Sequence, residues 1–214
     1  AQAMDDAAVA LHSLHSNAII HRDVKGENIL LFSLNARSAV CGKLTDFGTC
    51  RNVSARSIAA KELSAGVGTP TYMAPETLQG TSYSYPVDVY AYGVMLYETW
   101  TETQAYIDDP RFEQPWMIPQ FVIEGKRLER PDGMPDMWWS LVERCWAQDA
   151  STRPDFGTIL RELSGWPYDI THVNADAGRV GDGPVADGGD DACDVGADVS
   201  EGAASVDESV SSEA

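Results

Sequence analysis

Two acids, a base and an amide lie close together near the start of the chain. Asp23, Lys25 and Asn28 belong to the stretch HRDVKGENILL, and Asp46 belongs to the segment DFG a short distance downstream. Carboxylate and amide oxygens are ligands that suit Mg²⁺, whereas an ammonium group can neutralise phosphate oxygens. These residue types in this order therefore indicate metal-assisted chemistry on a phosphate group.

A β-hairpin is predicted to carry the two candidate magnesium ligands. Residues 29–32 and 40–45 are short runs of apolar and β-branched side chains separated by a polar turn, which is typical of two antiparallel strands. Asn28 precedes the first strand and Asp46 follows the second. Residues 3–16 place apolar side chains at helical spacing, which predicts an amphipathic helix that leads into the loop.

Helical patterns dominate the chain from there to about residue 166. Residues 86–100 are apolar on almost every side and begin with proline, which predicts a central buried helix. Residues 48–67 are small and polar, which predicts a mobile surface loop, and the Gly and Pro of residues 68–76 predict a tightly shaped turn. Shorter helices are predicted at three later stretches, the last capped by Asp155, at residues 116–124, 137–145 and 156–163.

Acidic residues give the chain a net charge of −18 at pH 7. More than half of that charge falls in residues 175–214, which contain no aromatic side chain. Such a segment cannot bury enough apolar area to offset the entropy of ordering it. We therefore expect a folded domain over residues 1–168 and a disordered acidic tail over residues 169–214. The negative charge also argues against nucleic acid as a partner.

Cysteine spacing and hydropathy give expectations about the cellular compartment of the protein. The four cysteines lie far apart without a CxxC pair, which predicts reduced thiols in a cytoplasmic protein. No apolar run approaches the roughly 18 residues that a membrane-spanning helix needs, so we expect no membrane segment. The chain begins with Ala1 and enters a helical pattern almost at once, which suggests a fragment of a longer protein.

The segments HRDVKGEN and DFG, followed by APE at residues 74–76, resemble the motifs of eukaryotic protein kinases. The resemblance covers about residues 3–166 and implies a mainly α (α+β) fold. That fold would be the kinase C-terminal lobe, a helical bundle around a central buried helix with a small catalytic hairpin and no N-terminal lobe. Lys25 in the loop resembles serine/threonine kinases. Cys145-Trp146 with Arg153-Pro154 resembles the end of tyrosine-kinase-like and tyrosine kinases, and of these we expect the tyrosine-kinase-like group.

The resemblance assigns roles to the residues with which we began. It implies that Asp23 orients or deprotonates the attacking hydroxyl of a protein Ser or Thr, while Lys25 lies over the transferred phosphoryl group of ATP. It implies that Asn28 and Asp46 hold Mg²⁺. Leu30 matches the residue on the floor of the adenine pocket.

Other matched positions are structural in the resemblance. Thr69 would bridge the catalytic acid and lysine, and Gly48 would let the DFG acid swing in or out. Asp88, on the central helix, would brace the backbone of the catalytic loop. Glu76 would pair with Arg153, although a surface ion pair of little energetic value is the plainer alternative for these two.

A regulatory site is also implied. Arg22 beside the catalytic acid would form a basic pocket that a loop phosphate could neutralise and thereby order. Ser64 is the first candidate acceptor, ahead of Ser57, Ser54 and Thr71, and an ordinary solvated serine is the alternative.

Half of an ATP cleft is missing from the sequence. Only twenty residues precede His21, and they contain no Gly-rich loop, strand lysine or partner glutamate. We therefore expect an upstream N-terminal lobe of the same protein and negligible activity of this chain alone. A non-catalytic docking scaffold remains an alternative, and an unrelated metal-dependent phosphotransferase is a third. A GxGxxG motif and a strand lysine upstream would favour the enzyme.

Overall fold

Helices make up most of the regular structure in the computed structural model, which describes residues 2–33, 35, 38–53, 68–81, 84–114 and 116–166. The helices in those ranges are α1 (Gln2–Ser16), α2 (Pro75–Leu78), α3 (Pro86–Thr101), α4 (Met117–Ile123), α5 (Asp136–Cys145) and α6 (Phe156–Leu163). The strands there are β1 (Ile19–Ile20), β2 (Ile29–Leu31), β3 (Gly42–Leu44) and β4 (Arg51–Asn52). A mixed structure rich in helix is thus confirmed.

Helix α3 is the buried centre of this part of the chain, as predicted. Every residue from Val87 to Leu96 is buried, because the sequence is apolar on all sides of the helix. Gly93 lies where α3 crosses α5, and a Cβ atom there would lie 2.7 Å from the Cβ atom of Cys145. The absence of a side chain at residue 93 therefore permits the close approach of the two helices.

The predicted hairpin is present with shorter strands than the sequence indicated. Strands β2 and β3 are antiparallel, with Ile29 opposite Leu44 and Leu31 opposite Gly42. A second antiparallel pair joins β1 to β4, with Ile19 opposite Asn52. A mobile surface loop was predicted over residues 48–67, and strand β4 at its start was missed because two residues are too few to produce a periodic pattern. Residues 54–67 lie outside the described ranges.

The segment before the central helix also differs from its prediction. Residues 68–76 were expected to form a turn only, but Pro70–Tyr72 form a 3₁₀ helix and Pro75 begins α2. Both short helices begin with proline, whose fixed φ suits the first helical turn. Thr71, a candidate phosphate acceptor, is buried with 5% of its surface exposed, which makes it a poor target for modification.

Helices α1 and α6 agree with the sequence. The apolar face of α1 buries Met4, Ala7, Ala8 and Leu11. The Asp155 side chain accepts a hydrogen bond of 2.7 Å from the Thr158 amide and so caps α6, as predicted. Among the described residues, no helix is long and apolar enough to cross a membrane.

Some predictions fall on residues outside the described ranges. These include the acidic tail over residues 169–214, the boundary at residue 168, and the candidate acceptors Ser54, Ser57 and Ser64. The three cysteines in the described ranges, Cys41, Cys50 and Cys145, are unpaired.

Candidate active site

A closed triangle of hydrogen bonds joins three of the residues that the sequence singled out. The Lys25 ammonium lies 2.8 Å from Asp23 Oδ2 and donates to Thr69 Oγ1 at 2.9 Å. The Thr69 hydroxyl in turn donates to Asp23 Oδ1 at 3.0 Å, and its backbone amide donates to the same oxygen at 3.2 Å. Thr69 is brought to the loop from far along the chain by the turn that begins at Gly68, where φ is +114°.

Asn28 completes the surroundings of the acid. It ends a 3₁₀ helix over Gly26–Asn28, and its side-chain nitrogen donates to Asp23 O at 2.7 Å and to Asp23 Oδ2 at 3.1 Å. The carboxylate of Asp23 therefore accepts four hydrogen bonds, which is about the capacity of its lone pairs. Within the described ranges the amide oxygen of Asn28 accepts none, which leaves it available to a cation.

The pKa of Asp23 is set by opposing effects. Burial by itself would raise the pKa, because it disfavours the charged carboxylate. The hydrogen bonds from Lys25 and Thr69 and the positive charge of Lys25 outweigh burial, so the pKa of Asp23 lies below its ordinary value. The carboxylate is consequently ionised throughout the neutral range.

The backbone ahead of Asp23 is held by a buried carboxylate from α3. Asp88 is only 1% exposed, and it accepts hydrogen bonds of 2.8 Å from the backbone amides of His21 and Arg22. The ring nitrogen Nε2 of His15 lies 2.8 Å from the same carboxylate. The bracing position expected for Asp88 is therefore observed.

His15 belongs to this arrangement, although no role was assigned to it from the sequence. It follows Leu11 and Ala8 at helical spacing, and both of those residues are buried. That spacing places His15 on the inward face of α1 and was the signal that could have found it.

The hairpin joins the two candidate magnesium ligands. Strand β2 follows Asn28 directly, and the Thr45 amide at the end of β3 donates to Asn28 O at 2.9 Å. Asp46 comes next, at a left-handed φ of 57°, with an exposed side chain that accepts from the Gly48 amide at 3.3 Å. An amide oxygen and an exposed carboxylate fit Mg²⁺, which usually takes one or two protein oxygens and completes its shell with phosphate and water.

Several large apolar side chains on and beside the hairpin are exposed. Leu30, the candidate adenine contact, is 50% exposed and lies in the strand that follows Asn28. Four further apolar side chains on or beside the hairpin are 45–62% exposed, and together with Leu30 we call them the apolar band: Leu31, Phe32, Val40 and Phe47. Several exposed apolar side chains within a short stretch of structure are typical of a site for a ligand or another protein surface.

The predicted pair of Glu76 and Arg153 is formed, and it is not a surface pair. Arg153 Nη1 and Nη2 donate to the two carboxylate oxygens of Glu76 at 2.7 and 2.8 Å. The Arg153 side chain is 0% exposed, and it also donates to the carbonyl oxygens of Pro86 and Ala147. Its guanidinium lies 5.1 Å from the ring centre of Tyr90. The alternative of an exposed pair is therefore wrong.

A buried contact that the sequence analysis missed links the turn at Thr69 to α3. The Tyr72 hydroxyl donates to Glu98 Oε2 at 2.6 Å, and the Ala105 amide donates to the other oxygen at 2.8 Å. Burial raises the pKa of both Tyr72 and Glu98. No local pattern could have revealed this pair, because the two residues lie on different elements.

The candidate regulatory residues are only partly placed. Arg22 Nε donates to the carbonyl oxygen of Thr49 beside the DFG segment, and the Thr49 hydroxyl donates to His21 O. Ser64 lies outside the described residues, so the structure does not bring it to Arg22.

Comparison with known proteins yields one family. The family model for the protein kinase domain matches residues 1–163. The "Probable serine/threonine-protein kinase gdt4" of Dictyostelium discoideum is 37% identical over 158 residues, which are 72% of this chain and 9% of that protein. Another kinase of that organism with the same description is 42% identical over 156 residues, which are 73% of this chain and 10% of the relative.

A probable LIM domain-containing serine/threonine-protein kinase of Dictyostelium discoideum is 35% identical over 158 residues, or 74% of this chain and 22% of that protein. The chain therefore spans only a small part of the curated relatives that it matches. The family match nevertheless extends over the segment HRDVKGEN, the hairpin, the central helix and α6. On this match, the chain belongs to the protein kinase domain family.

Proposed function

We propose that this chain is the C-terminal lobe of a serine/threonine protein kinase, which transfers the γ-phosphoryl group of ATP to a protein Ser or Thr hydroxyl. The observation that carries the proposal is the closed triangle of Asp23, Lys25 and Thr69. Such a triangle keeps an ionised carboxylate and an ammonium group side by side in one fixed geometry. Phosphoryl transfer depends mainly on positioning and on electrostatic stabilisation, which this geometry supports.

Asp23 would orient the attacking hydroxyl rather than act as a strong base. Its pKa is lowered, so the carboxylate has little affinity for a proton in the ground state. A loose transition state needs little negative charge on the attacking oxygen, so late proton transfer suffices. All four acceptor positions of Asp23 are already used, so a substrate hydroxyl must displace one donor.

Lys25 is the donor that a substrate hydroxyl can displace most easily. Its ammonium group lies on a flexible stem and can turn toward a phosphate oxygen, which frees one site on Asp23 Oδ2 for the hydroxyl. Asn28 and Asp46 would hold Mg²⁺, which when bound supplies positive charge to the phosphate oxygens. The available amide oxygen of Asn28 and the exposed carboxylate of Asp46 support this assignment.

The apolar band supports a further part of the proposal. Adenine is flat and apolar on its faces, and Leu30 offers an exposed apolar side chain in the strand that follows Asn28. We infer that the band is covered by adenine and by an N-terminal lobe of the same protein. The tyrosine-kinase-like subgroup and a cytoplasmic location belong to the same proposal and rest on the sequence alone.

Phosphorylation assays on the longer protein that contains this chain test the proposal. We expect transfer from ATP to Ser or Thr in a mixed protein substrate, reduced at least about a hundredfold by Asp23→Asn. The exposed turn residue Asp132 provides a matched control, since Asp132→Asn should leave the rate unchanged.

Two results would contradict the proposal. Full transfer by the Asp23→Asn variant would remove the carboxylate from the reaction, and transfer to tyrosine alone would refute the substrate class. Absence of any transfer by the longer protein would favour the docking scaffold. The 214-residue chain by itself should transfer negligible phosphate.

A further inference from the structure

One carboxylate of α1 is bonded to the strand that leads to Asp46. Asp6 Oδ2 accepts hydrogen bonds from the backbone amides of Cys41 at 2.7 Å and Gly42 at 2.9 Å. Cys41 and Gly42 are both buried. The two amides therefore depend on this one carboxylate oxygen, because unsatisfied buried donors are costly.

The same junction is closely packed. A Cβ atom on Gly42 would lie 3.1 Å from Ile29 Cγ2 and 3.2 Å from the Cβ atom of Ala3. A side chain at residue 42 would therefore press against both α1 and β2. The Asp6 carboxylate therefore fixes the position of the first residue of β3 relative to α1.

The hairpin connects this anchored strand to both candidate magnesium ligands. It has only three residue pairs, from Ile29 opposite Leu44 to Leu31 opposite Gly42. A hairpin of this length is marginal without outside support. Asn28 lies at one end of β2, and Asp46 lies two residues beyond β3.

We propose that Asp6 is a positioning residue for the magnesium site, which it serves by holding β3 and thereby the place where Asp46 leaves the hairpin. The two hydrogen bonds are assisted by the negative charge of the carboxylate, which makes them stronger than bonds to a neutral acceptor. The assignment of a magnesium site rests on the proposed function, whereas the hold on the strand does not. Asp6 has no contact with the reacting groups and acts only through the strand.

Amide hydrogen exchange in the 214-residue chain tests the hold on the strand. Asp6→Asn keeps one carbonyl oxygen and so leaves the hairpin attached, but it removes the charge. We expect the exchange of the Cys41 and Gly42 amides to become about tenfold faster. Asp5→Asn is the matched control, because Asp5 is the adjacent acid of α1 and makes no hydrogen bond to the hairpin within the described ranges. That variant should leave both rates unchanged.

Titration of the longer protein that contains this chain, with Mn²⁺ in the presence of ATP, tests the effect on the metal site without any measurement of activity. Mn²⁺ is paramagnetic and broadens the NMR signals of nearby groups, here the side-chain amide of Asn28 and the backbone amide of Asp46. We expect Asp6→Asn to raise the Mn²⁺ concentration for half-maximal broadening at least about threefold, in keeping with the loss typical of outer-shell partners. Asp6→Glu, which restores the charge, should recover part of that shift, and melting curves will show that each variant is folded.

The outcomes separate the two ideas. Unchanged exchange in Asp6→Asn, or an equal change in Asp5→Asn, overturns the hold on the strand. Faster exchange with an unaltered Mn²⁺ titration leaves Asp6 a purely structural residue and overturns the positioning role. Absence of broadening in the unmodified longer protein refutes the magnesium site, and with it the positioning role, while the exchange result still decides whether Asp6 holds β3.

Discussion

The pair of Glu76 and Arg153 permits a quantitative prediction. Glu76→Gln keeps the size of the side chain but leaves the guanidinium, whose side chain is 0% exposed, without its counter-charge. Removal of one partner of a buried pair costs about 3–5 kcal/mol, because the remaining charge is buried and unpaired. Arg153 keeps its bonds to the carbonyl oxygens of Pro86 and Ala147, and Glu76 is 16% exposed. We therefore expect a loss of about 3 kcal/mol in the free energy of unfolding.

Equilibrium unfolding in urea measures this loss, and the chain provides a matched control. Arg144 and Glu162 form a pair with similar bidentate geometry, but their side chains are 40% and 33% exposed. Water can solvate either charge when its partner is removed, so Glu162→Gln should cost only about 0–1 kcal/mol. The comparison isolates burial, since the substitution and the type of partner are the same in the two pairs.

A double-mutant cycle with Arg153→Met completes the test. If the cost of Glu76→Gln comes from the unpaired guanidinium, the two substitutions should couple by about 2 kcal/mol. A loss below about 1 kcal/mol for Glu76→Gln, equal to that of the exposed control, would refute the reasoning, as would a coupling energy near zero.

Three further predictions concern local structure. Gly68→Ala should lower the free energy of unfolding by about 1–3 kcal/mol, because φ is +114° and a Cβ atom would lie 2.8 Å from Arg22 O. Gly80→Ala is the control and should lower it less, because φ is +66° and the space around it is open. Asp155→Ala should lower the free energy of unfolding by about 1 kcal/mol through loss of the α6 cap, whereas Asp155→Asn should retain most of it. The pKa of Asp23 is lower in the folded chain than in the unfolded chain. The ionised carboxylate therefore stabilises the fold at pH values above the unfolded pKa, and this contribution is lost as the pH falls through the folded pKa. The stability difference between the unmodified chain and Asp23→Asn, measured by urea unfolding, should therefore shrink below about pH 4, and a difference that stays constant there would contradict the prediction.

The parts of the fold that the sequence predicted well have strong local patterns. Helix α3 is buried on all sides from Val87 to Leu96, which is nearly three turns, and few other structures accommodate such a stretch in water. The hairpin was predictable from two short apolar runs around a polar turn. The motif residues were identified by resemblance, but their hydrogen bonds became known only from the structure, because Asp23 and Thr69 lie far apart in the chain.

The missed features share a physical cause. Strands β1 and β4 contain two residues each and exist because they pair with each other, not because either has a strong tendency to form a strand. His15 and Glu98 are polar residues whose partners lie on other elements. Single-sequence reasoning treats an isolated polar side chain as exposed, so it fails where tertiary structure supplies the partner.

The conformation of Arg22 shows why tertiary support matters most at the site itself. Its φ is 71°, a left-handed value that costs a residue with a side chain about 1–2 kcal/mol. Sequence reasoning would expect glycine there, and the chain has arginine. The Asp88 carboxylate accepts hydrogen bonds from the amides of His21 and Arg22, and bonds to a charged group contribute about 1.5–3 kcal/mol each. The buried acid of α3 therefore more than offsets the strain, so the backbone conformation that presents Asp23 is imposed by the central helix and not by the residues of the catalytic loop.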